Sequence, residues 1–234
     1  DAAVQTAAGS VEQSGALWRL FVQSFDVFTV ALLAGSLFAA AAIVRAAMDV
    51  RDANIFDQDT ADRARSLADR GLWGELRNLA RDDETFLGAV LRPAIHAAPI
   101  GRAETHDAAE IAASEQTSGW FRKIEPLSLI GNLGPLVGLA GTVWGMILAF
   151  TSLGATAGQA GPAELSEGIS KALFHTLLGL VLAIPCLLVF GVYRAKIDRL
   201  CTRAIAESAR IVGVIPTGDD CPDEYRHDEK QGTP

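Results

Sequence analysis

Two stretches, GNLGPLVGLAGTVWGMILAF (131–150) and ISKALFHTLLGLVLAIPCLLVFGVYR (169–194), decide the fold of this chain. The first lies in a run of 38 residues without a formal charge (126–163), and the second contains a run of 22 (172–193). An α-helix rises about 1.5 Å per residue, so about 20 apolar residues cross a hydrocarbon core of about 30 Å. Each stretch is therefore predicted to span a membrane as a helix.

A third apolar run, residues 27–44, contains 18 residues without a formal charge. Mostly polar residues precede it, and Arg45 and Arg51 follow it. A signal peptide instead begins with basic residues and ends at a small-residue cleavage site, so an integral span is the better interpretation. Whether a signal peptide once preceded Asp1 stays open. The sequence predicts an all-α membrane protein with three transmembrane helices, whose long helices extend into a cytoplasmic helical bundle.

The positions of Lys and Arg predict the orientation, because segments rich in these residues stay in the cytoplasm. Residues 45–125 carry 11 of them and the tail from Arg194 carries seven, whereas residues 1–26 carry one and residues 151–170 carry none. We therefore expect the middle segment and the C-terminus to be cytoplasmic. The N-terminus and the short loop of the hairpin are expected on the outer side.

Periodicity and turn residues divide the rest of the chain. Over residues 58–98, charged and apolar positions alternate with helical period, and Gly71 marks one break between short helices. A further pattern predicts one helix over 103–153, about 75 Å long. The predicted segments are an extracytoplasmic segment with an interfacial helix (1–25), transmembrane helix 1 (26–48), a cytoplasmic helical domain (49–125), transmembrane helix 2 (126–153), an extracytoplasmic loop (154–168), transmembrane helix 3 (169–193) and a cytoplasmic tail helix with a disordered end (194–234).

The second span is rich in glycine at helical spacing. The glycines form two small-xxx-small pairs, Gly134 with Gly138 and Gly141 with Gly145, and Thr142 lies among them. Such spacing lets two helix backbones approach closely within lipid, where packing and hydrogen bonds drive association. These glycines are predicted to form a helix-packing face.

The third span has a matching small face. Ala172, Thr176, Gly179 and Ala183 recur at intervals of four, three and four residues, and Pro185 is expected to kink the helix beyond them. The spacing alone leaves two roles open for the hydroxyls of the two threonines: bonding to carbonyls to hold the helices together, or lining a narrow polar path. The interior of each span lacks Asp and Glu, so a self-contained pump is not expected.

The stretches PLVGLAGTVWGMILAF and KALFHTLLGLVLAIP resemble the two signature stretches of the MotA/TolQ/ExbB proton-channel family. Three spans and a large cytoplasmic segment are more similar to ExbB and TolQ than to MotA proteins, which have four spans. The resemblance implies a homopentamer in a bacterial inner membrane around two copies of a single-span ExbD/TolR-like partner. The partner would contribute a transmembrane Asp, and Thr142 and Thr176 would line the ion pathway. Proton flow would then drive work on periplasmic or outer-membrane machinery, which the sequence does not identify.

Two positions depart from the family pattern. Lys171 stands where ExbB and TolQ commonly have Glu, and Glu167 lies one turn earlier, so which of the two replaces that Glu stays open. His175, next to Thr176, has two interpretations: a relay that exchanges protons near neutral pH, or a histidine that packs and bonds between subunits.

Three function hypotheses remain: the proton-driven motor subunit, a sodium-driven version of it, and a non-conducting membrane scaffold for a partner. The net charge of −8 without a basic patch disfavours nucleic-acid binding. The three cysteines form neither a disulfide framework nor a zinc motif, and His96 and His106 have no metal or nucleophile spacing. We therefore expect no enzyme activity, cofactor or metal.

Overall fold

The computed structural model describes residues 25–155, 162–222 and 225. The interfacial helix predicted within residues 1–25 lies outside the described residues. The described residues contain seven α-helices, no strand and one 3-10 turn. The elements are α1 (Val27–Asp49), α2 (Asp52–Ile55), α3 (Gln58–Asp69), α4 (Trp73–Asp82), α5 (Phe86–Ala97), α6 (Arg102–Ala155), α7 (Pro162–Val214) and the 3-10 turn Gly218–Asp220.

Three helices, α1, α6 and α7, are long and apolar enough to cross a membrane. The prediction of an all-α membrane protein with three spans is therefore confirmed. Both α6 and α7 extend beyond their apolar parts. Helix α6 is continuous although it contains Pro126 and Pro135, and α7 begins at Pro162, before the expected start of the third span at 169.

The chain forms two compact units, and α6 and α7 contribute residues to both. Of the described residues, the first unit comprises 25–44, 125–155 and 162–190, which include the three apolar stretches. Its core joins α1 to α7: Leu32 and Ala39 pack against Leu182 and Cys186. Partly buried apolar side chains of α6 and α7 surround this cluster, namely Ile130, Val137 and Leu178.

The second unit comprises, of the described residues, 45–124, 191–222 and 225. Helix α3 begins where the Asp57 side chain accepts a hydrogen bond from the backbone N–H of Thr60. The chain turns at Gly71, whose φ of 68° lies in the left-handed region that favours glycine. Ion pairs join the short elements to α7, with Arg65 bound to Glu207 and Lys196 lying 2.7 Å from Asp52. The cytoplasmic location of this unit stays a prediction.

Candidate functional site

The backbones of α6 and α7 are in contact along their glycines. A Cβ on Gly138 would lie 2.8 Å from the carbonyl oxygen of His175, and one on Gly179 would lie 2.6 Å from the carbonyl oxygen of Gly134. A side chain at either position would overlap backbone atoms, so only glycine allows this approach. The two small faces that the sequence analysis singled out therefore lie against each other.

The hydroxyls of Thr142 and Thr176 meet within this contact. The Thr142 side chain is buried, and its Oγ1 lies 3.0 Å from the carbonyl oxygen of Ala172 and 3.1 Å from that of Gly138. It also contacts Oγ1 of Thr176, which in turn lies 3.3 Å from the Gly138 carbonyl oxygen. Each hydroxyl has one hydrogen to donate but two lone pairs, so both keep acceptor capacity after bonding to the helices.

The other small residues lie along the same line. A Cβ on Gly145 would lie 3.0 Å from Cβ of Ala172, and a Cβ on Gly134 would lie 3.7 Å from Cβ of Ala183, which is buried. Pro185 is exposed and α7 continues through it. The kink at Pro185 therefore stays a prediction.

The side chain of His175, next to Thr176, is buried, with 2% of it exposed. Its Nε2 lies 3.0 Å from Oδ1 of Asp26 and 3.1 Å from Oγ1 of Thr29, both on the first span. Its ring packs against Gly141 on α6, where a Cβ would lie 2.9 Å from the ring carbon Cγ. The imidazole of His175 thus contacts all three spans of one chain.

Asp26 is held in place by the start of α1. Its Oδ1 accepts hydrogen bonds from the backbone N–H groups of Phe28 and Thr29, each at 3.0 Å. The first N–H groups of an α-helix precede its i→i−4 bonding pattern, so a carboxylate at this position caps the helix and favours its start at Val27. The cap leaves the same oxygen facing His175.

The sequence analysis missed Asp26 and Thr29, because it treated Asp26 as the boundary of an apolar run and assigned no chemistry to the first span. Two signals were available: the Asp-x-x-Thr spacing, which is typical of a helix start, and the presence of one histidine in the third span without a charged partner in its own helix core. Neither signal shows which helices adjoin.

The remaining candidates are two paired charges on α7 and two exposed histidines. Lys171 pairs with Glu167 at 3.3 Å, one turn apart on α7. Which of the two replaces the family Glu stays open. His96 and His106 are both exposed.

The hairpin formed by α6 and α7 contains most of the region that matches a known protein family. The model of the MotA/TolQ/ExbB proton channel family matches residues 80–205, more than half of the chain. The chain belongs to this family.

Individual family members match over shorter stretches. The chain is 40% identical over 79 residues to the biopolymer transport protein exbB1 of Vibrio cholerae, an alignment that covers 34% of this chain and 35% of that relative. It is 35% identical over 96 residues to the Tol-Pal system protein TolQ of Pseudomonas aeruginosa, which covers 41% of each chain. The aligned regions therefore span well under half of these relatives.

A solved structure of Campylobacter jejuni MotAB has the same fold over most of its length. The TM-score is 0.54, the alignment covers 89% of this chain and 84% of that chain, and 17% of the residues are identical. At this identity the likeness concerns the fold alone.

The stretch that the family model matches includes Thr142, Thr176 and His175 but not Asp26 or Thr29. The hairpin is therefore the part of the site that this chain shares with the MotA/TolQ/ExbB family. The contact from the first span lies outside the matched region.

Proposed function

We propose that this chain is the channel-forming subunit of a proton-motive-force-driven motor of the ExbB/TolQ type. Several copies, expected to be five, surround a single-span ExbD/TolR-like partner, expected in two copies, in a bacterial inner membrane. The N-terminus faces outward and the second unit lies in the cytoplasm. Ion flow along the inner wall is converted into mechanical work on periplasmic or outer-membrane machinery.

The observation that carries this proposal is the pair of hydroxyls on Thr142 and Thr176. They lie together in an otherwise small and apolar helix contact, within the region that the family model matches. Because each retains lone pairs, the pair can accept a hydrogen bond from a protonated carboxyl group or from a water molecule. The hairpin has no Asp or Glu in residues 126–163 or 172–193, so its two spans supply no carboxyl group to carry the ion, and in this proposal the partner supplies it.

Exposed apolar side chains support an assembly in lipid. Residues of all three spans present large apolar groups to the outside of the single chain, among them Leu37 and Phe38 on α1, Leu136 and Phe150 on α6, and Leu180 and Ile184 on α7. Surface of this kind is stable against lipid tails, further copies of the chain or a partner helix. It would be unfavourable in water.

Ion flux through the assembled complex tests the proposal. The chain is co-expressed with an ExbD/TolR-like single-span partner, and the purified complex is reconstituted in liposomes containing a pH-sensitive dye. We expect Thr142→Val and Thr176→Val each to reduce flux by up to about tenfold, since losing one hydrogen bond to a neutral group, worth about 0.5–1.5 kcal/mol, changes an equilibrium about twofold to tenfold.

Two controls separate this loss from damage to the fold. Thr142→Ser keeps the hydroxyl and should keep flux. Thr151→Val removes a hydroxyl of the same helix that bonds within that helix, to the carbonyl oxygen of Ile147, and should also keep flux. Flux that survives both valine substitutions in an intact complex contradicts the motor.

A non-conducting scaffold is the second candidate, and the bonding of the hydroxyls favours it. Both Thr142 and Thr176 bond to backbone carbonyls of the hairpin, as they would if they only held the helices together. A scaffold would retain its partner and its biological activity in both valine variants. Flux in sodium-free buffer, with and without an uncoupler, separates a proton-driven motor from a sodium-driven one.

A further inference from the structure

We propose that the second unit contains a binding site for a small phosphate-bearing anion, formed by basic side chains of α4 and α5. Residues of both helices line a cavity of about 330 Å³, a volume at the lower end of the range for small-molecule sites. The basic residues that line this cavity are Arg77 and Arg81 on α4 and Arg92 and His96 on α5. They lie outside the hairpin, so the site is independent of the proposed function.

The two helices contribute to the cavity with the same spacing. The lining positions are Arg77, Ala80 and Arg81 on α4, and Arg92, Ile95 and His96 on α5. Residues three and four positions apart lie on one face of a helix, so each helix presents a basic pair with an apolar residue beside it. Ala80 and Ile95 are buried, whereas Arg81, Arg92 and His96 are exposed. The basic groups are therefore accessible to a solute around an apolar base.

The positive charge at this cavity favours a bound anion. Like charges one helical turn apart, such as Arg77 and Arg81, destabilise the helix that carries them. Asp82 lies 3.6 Å from Nε of Arg81, but the two side chains are 77% and 73% exposed, and ion pairs in that setting are weak. An anion held among the guanidinium groups would offset their mutual repulsion.

The charge of the whole chain favours a small anion over a long one. The chain has a net charge of −8, which repels an extended polyanion such as a nucleic acid. At physiological ionic strength, charges act over about 8 Å, so a small anion in the cavity responds mainly to the basic groups around it.

The donor groups suit phosphate oxygens. Nε of Arg92 donates to the carbonyl oxygen of Gly88 at 3.1 Å, which orients the guanidinium and does not use the four hydrogens on its two terminal nitrogens. Guanidinium groups bind phosphate through paired N–H donors, and the imidazole of His96 adds a further N–H. Donors that approach from two helices match an anion with several oxygens and at least two charges, such as a diphosphate group.

A residue of the C-terminal tail forms another wall of the cavity. Tyr225 lines it and is 5% exposed, and its hydroxyl donates to the carbonyl oxygen of Trp73 at 3.0 Å. Trp73 is the first residue of α4, so this bond holds the aromatic ring against the helix that carries Arg77 and Arg81. The ring limits the size of the anion that the cavity accepts.

Isothermal titration calorimetry of the chain in phosphatidylcholine nanodiscs tests the site, with inorganic pyrophosphate as the probe. We expect saturable binding that weakens as the salt concentration rises. Arg81→Gln and Arg92→Gln each remove a charged donor from an exposed position. Each should raise the Kd for pyrophosphate about tenfold, because a hydrogen bond between charged groups changes an equilibrium by about that factor.

Arg122→Gln is the matched control. Arg122 is an exposed residue of α6 in the same unit, and its Nε donates to the carbonyl oxygen of Ser118, four residues earlier, as Nε of Arg92 does to that of Gly88. It is not among the described residues that line the cavity. Removing its charge should leave the Kd unchanged, and thermal unfolding checks that all three variants keep the fold.

A second measurement separates two sources of the phosphate group, a free solute and a lipid headgroup. The chain is released from nanodiscs that contain phosphatidic acid and is analysed by native mass spectrometry. Bound lipid that Arg92→Gln loses and Arg122→Gln retains identifies a headgroup as the natural occupant. Pyrophosphate binding without such a difference in bound lipid identifies a free solute.

Absence of pyrophosphate binding to the wild-type chain overturns the site. Binding that Arg81→Gln and Arg92→Gln leave unchanged overturns it as well, and so does an equal loss in Arg122→Gln. Because no partner and no ion flux enter these measurements, the site can fail while the motor stands. Loss of flux in the threonine variants would likewise leave pyrophosphate binding intact.

Discussion

The ring of His175 on α7 packs directly against Gly141 on α6, and Nε2 of the same ring lies 3.0 Å from Oδ1 of Asp26, which precedes α1. One buried side chain therefore sets how closely the second span approaches the third and where the first span attaches. The size of residue 141 determines how closely α6 packs against the imidazole, and the carboxylate of residue 26 lies at hydrogen-bond distance from the same ring.

Gly141→Ala should destabilise the hairpin, because the new Cβ would lie 2.9 Å from both Cβ and Cγ of His175. Overpacking of this kind lowers the free energy of unfolding by about 1–3 kcal/mol. Thermal unfolding of the detergent-solubilised protein measures the change. Combining Gly141→Ala with His175→Ala should restore part of the lost free energy of unfolding. Gly119→Ala in the same helix, where no atom lies within 4 Å, should be neutral or stabilising.

Gly179→Ala should be more damaging than Gly141→Ala. Its Cβ would lie 2.6 Å from the carbonyl oxygen of Gly134 and 3.2 Å from Cα of Gly138, and backbone atoms cannot move aside by rotating a side chain. We expect size-exclusion chromatography to show loss of the oligomer that the proposed function requires. Gly191→Ala in the same helix meets no atom within 4 Å and should assemble normally. Normal assembly of the Gly179 variant would show that the two backbones are not in contact.

Asp57 should stabilise the second unit in a pH-dependent way. Its carboxylate accepts hydrogen bonds from the hydroxyl of Thr60 at 2.6 Å and from the Thr60 N–H at 3.2 Å, and the hydroxyl bond lowers the pKa of Asp57 below its usual 3.8. The stabilisation is therefore present above about pH 4 and is lost as pH falls through the lowered pKa.

Asp57→Ala should accordingly lower the free energy of unfolding by about 1 kcal/mol at neutral pH, as the loss of a helix N-cap does. Chemical denaturation of wild type and variant at several pH values measures the difference. The difference between wild type and variant should become smaller in acid, because protonation of Asp57 removes its stabilising charge in the wild type. A difference of constant size at every pH would mean that the charge of Asp57 plays no part.

Cys201 should resist alkylation in the folded protein. Burial raises the pKa of its thiol to about 11, from an ordinary value of 9.0, which reduces the reactive thiolate about a hundredfold at neutral pH. Limited exposure of the side chain slows the reaction further. Iodoacetamide labelling followed by peptide mass spectrometry measures the rate, with the denatured chain as the control. Equal rates in both states would contradict the burial of this residue.

The sequence by itself determined the three spans and the two small faces of the hairpin. A charge-free run of sufficient length has few alternatives to a membrane helix, because each charge at the centre of a bilayer is unfavourable. The spacing of Gly134, Gly138 and Thr142 places them on one face of a helix, since 3.6 residues make one turn. Such local regularities depend only on the backbone.

The tertiary structure decided which faces meet and in what register. The contact between Asp26 and His175 joins residues that are 149 positions apart, and the bond between Thr142 and the Ala172 carbonyl crosses from one helix to the next. Helical periodicity is defined within one helix and carries no information about its neighbour. The register follows from packing glycine against backbone, and that packing brought the carboxylate of the first span to the imidazole of the third.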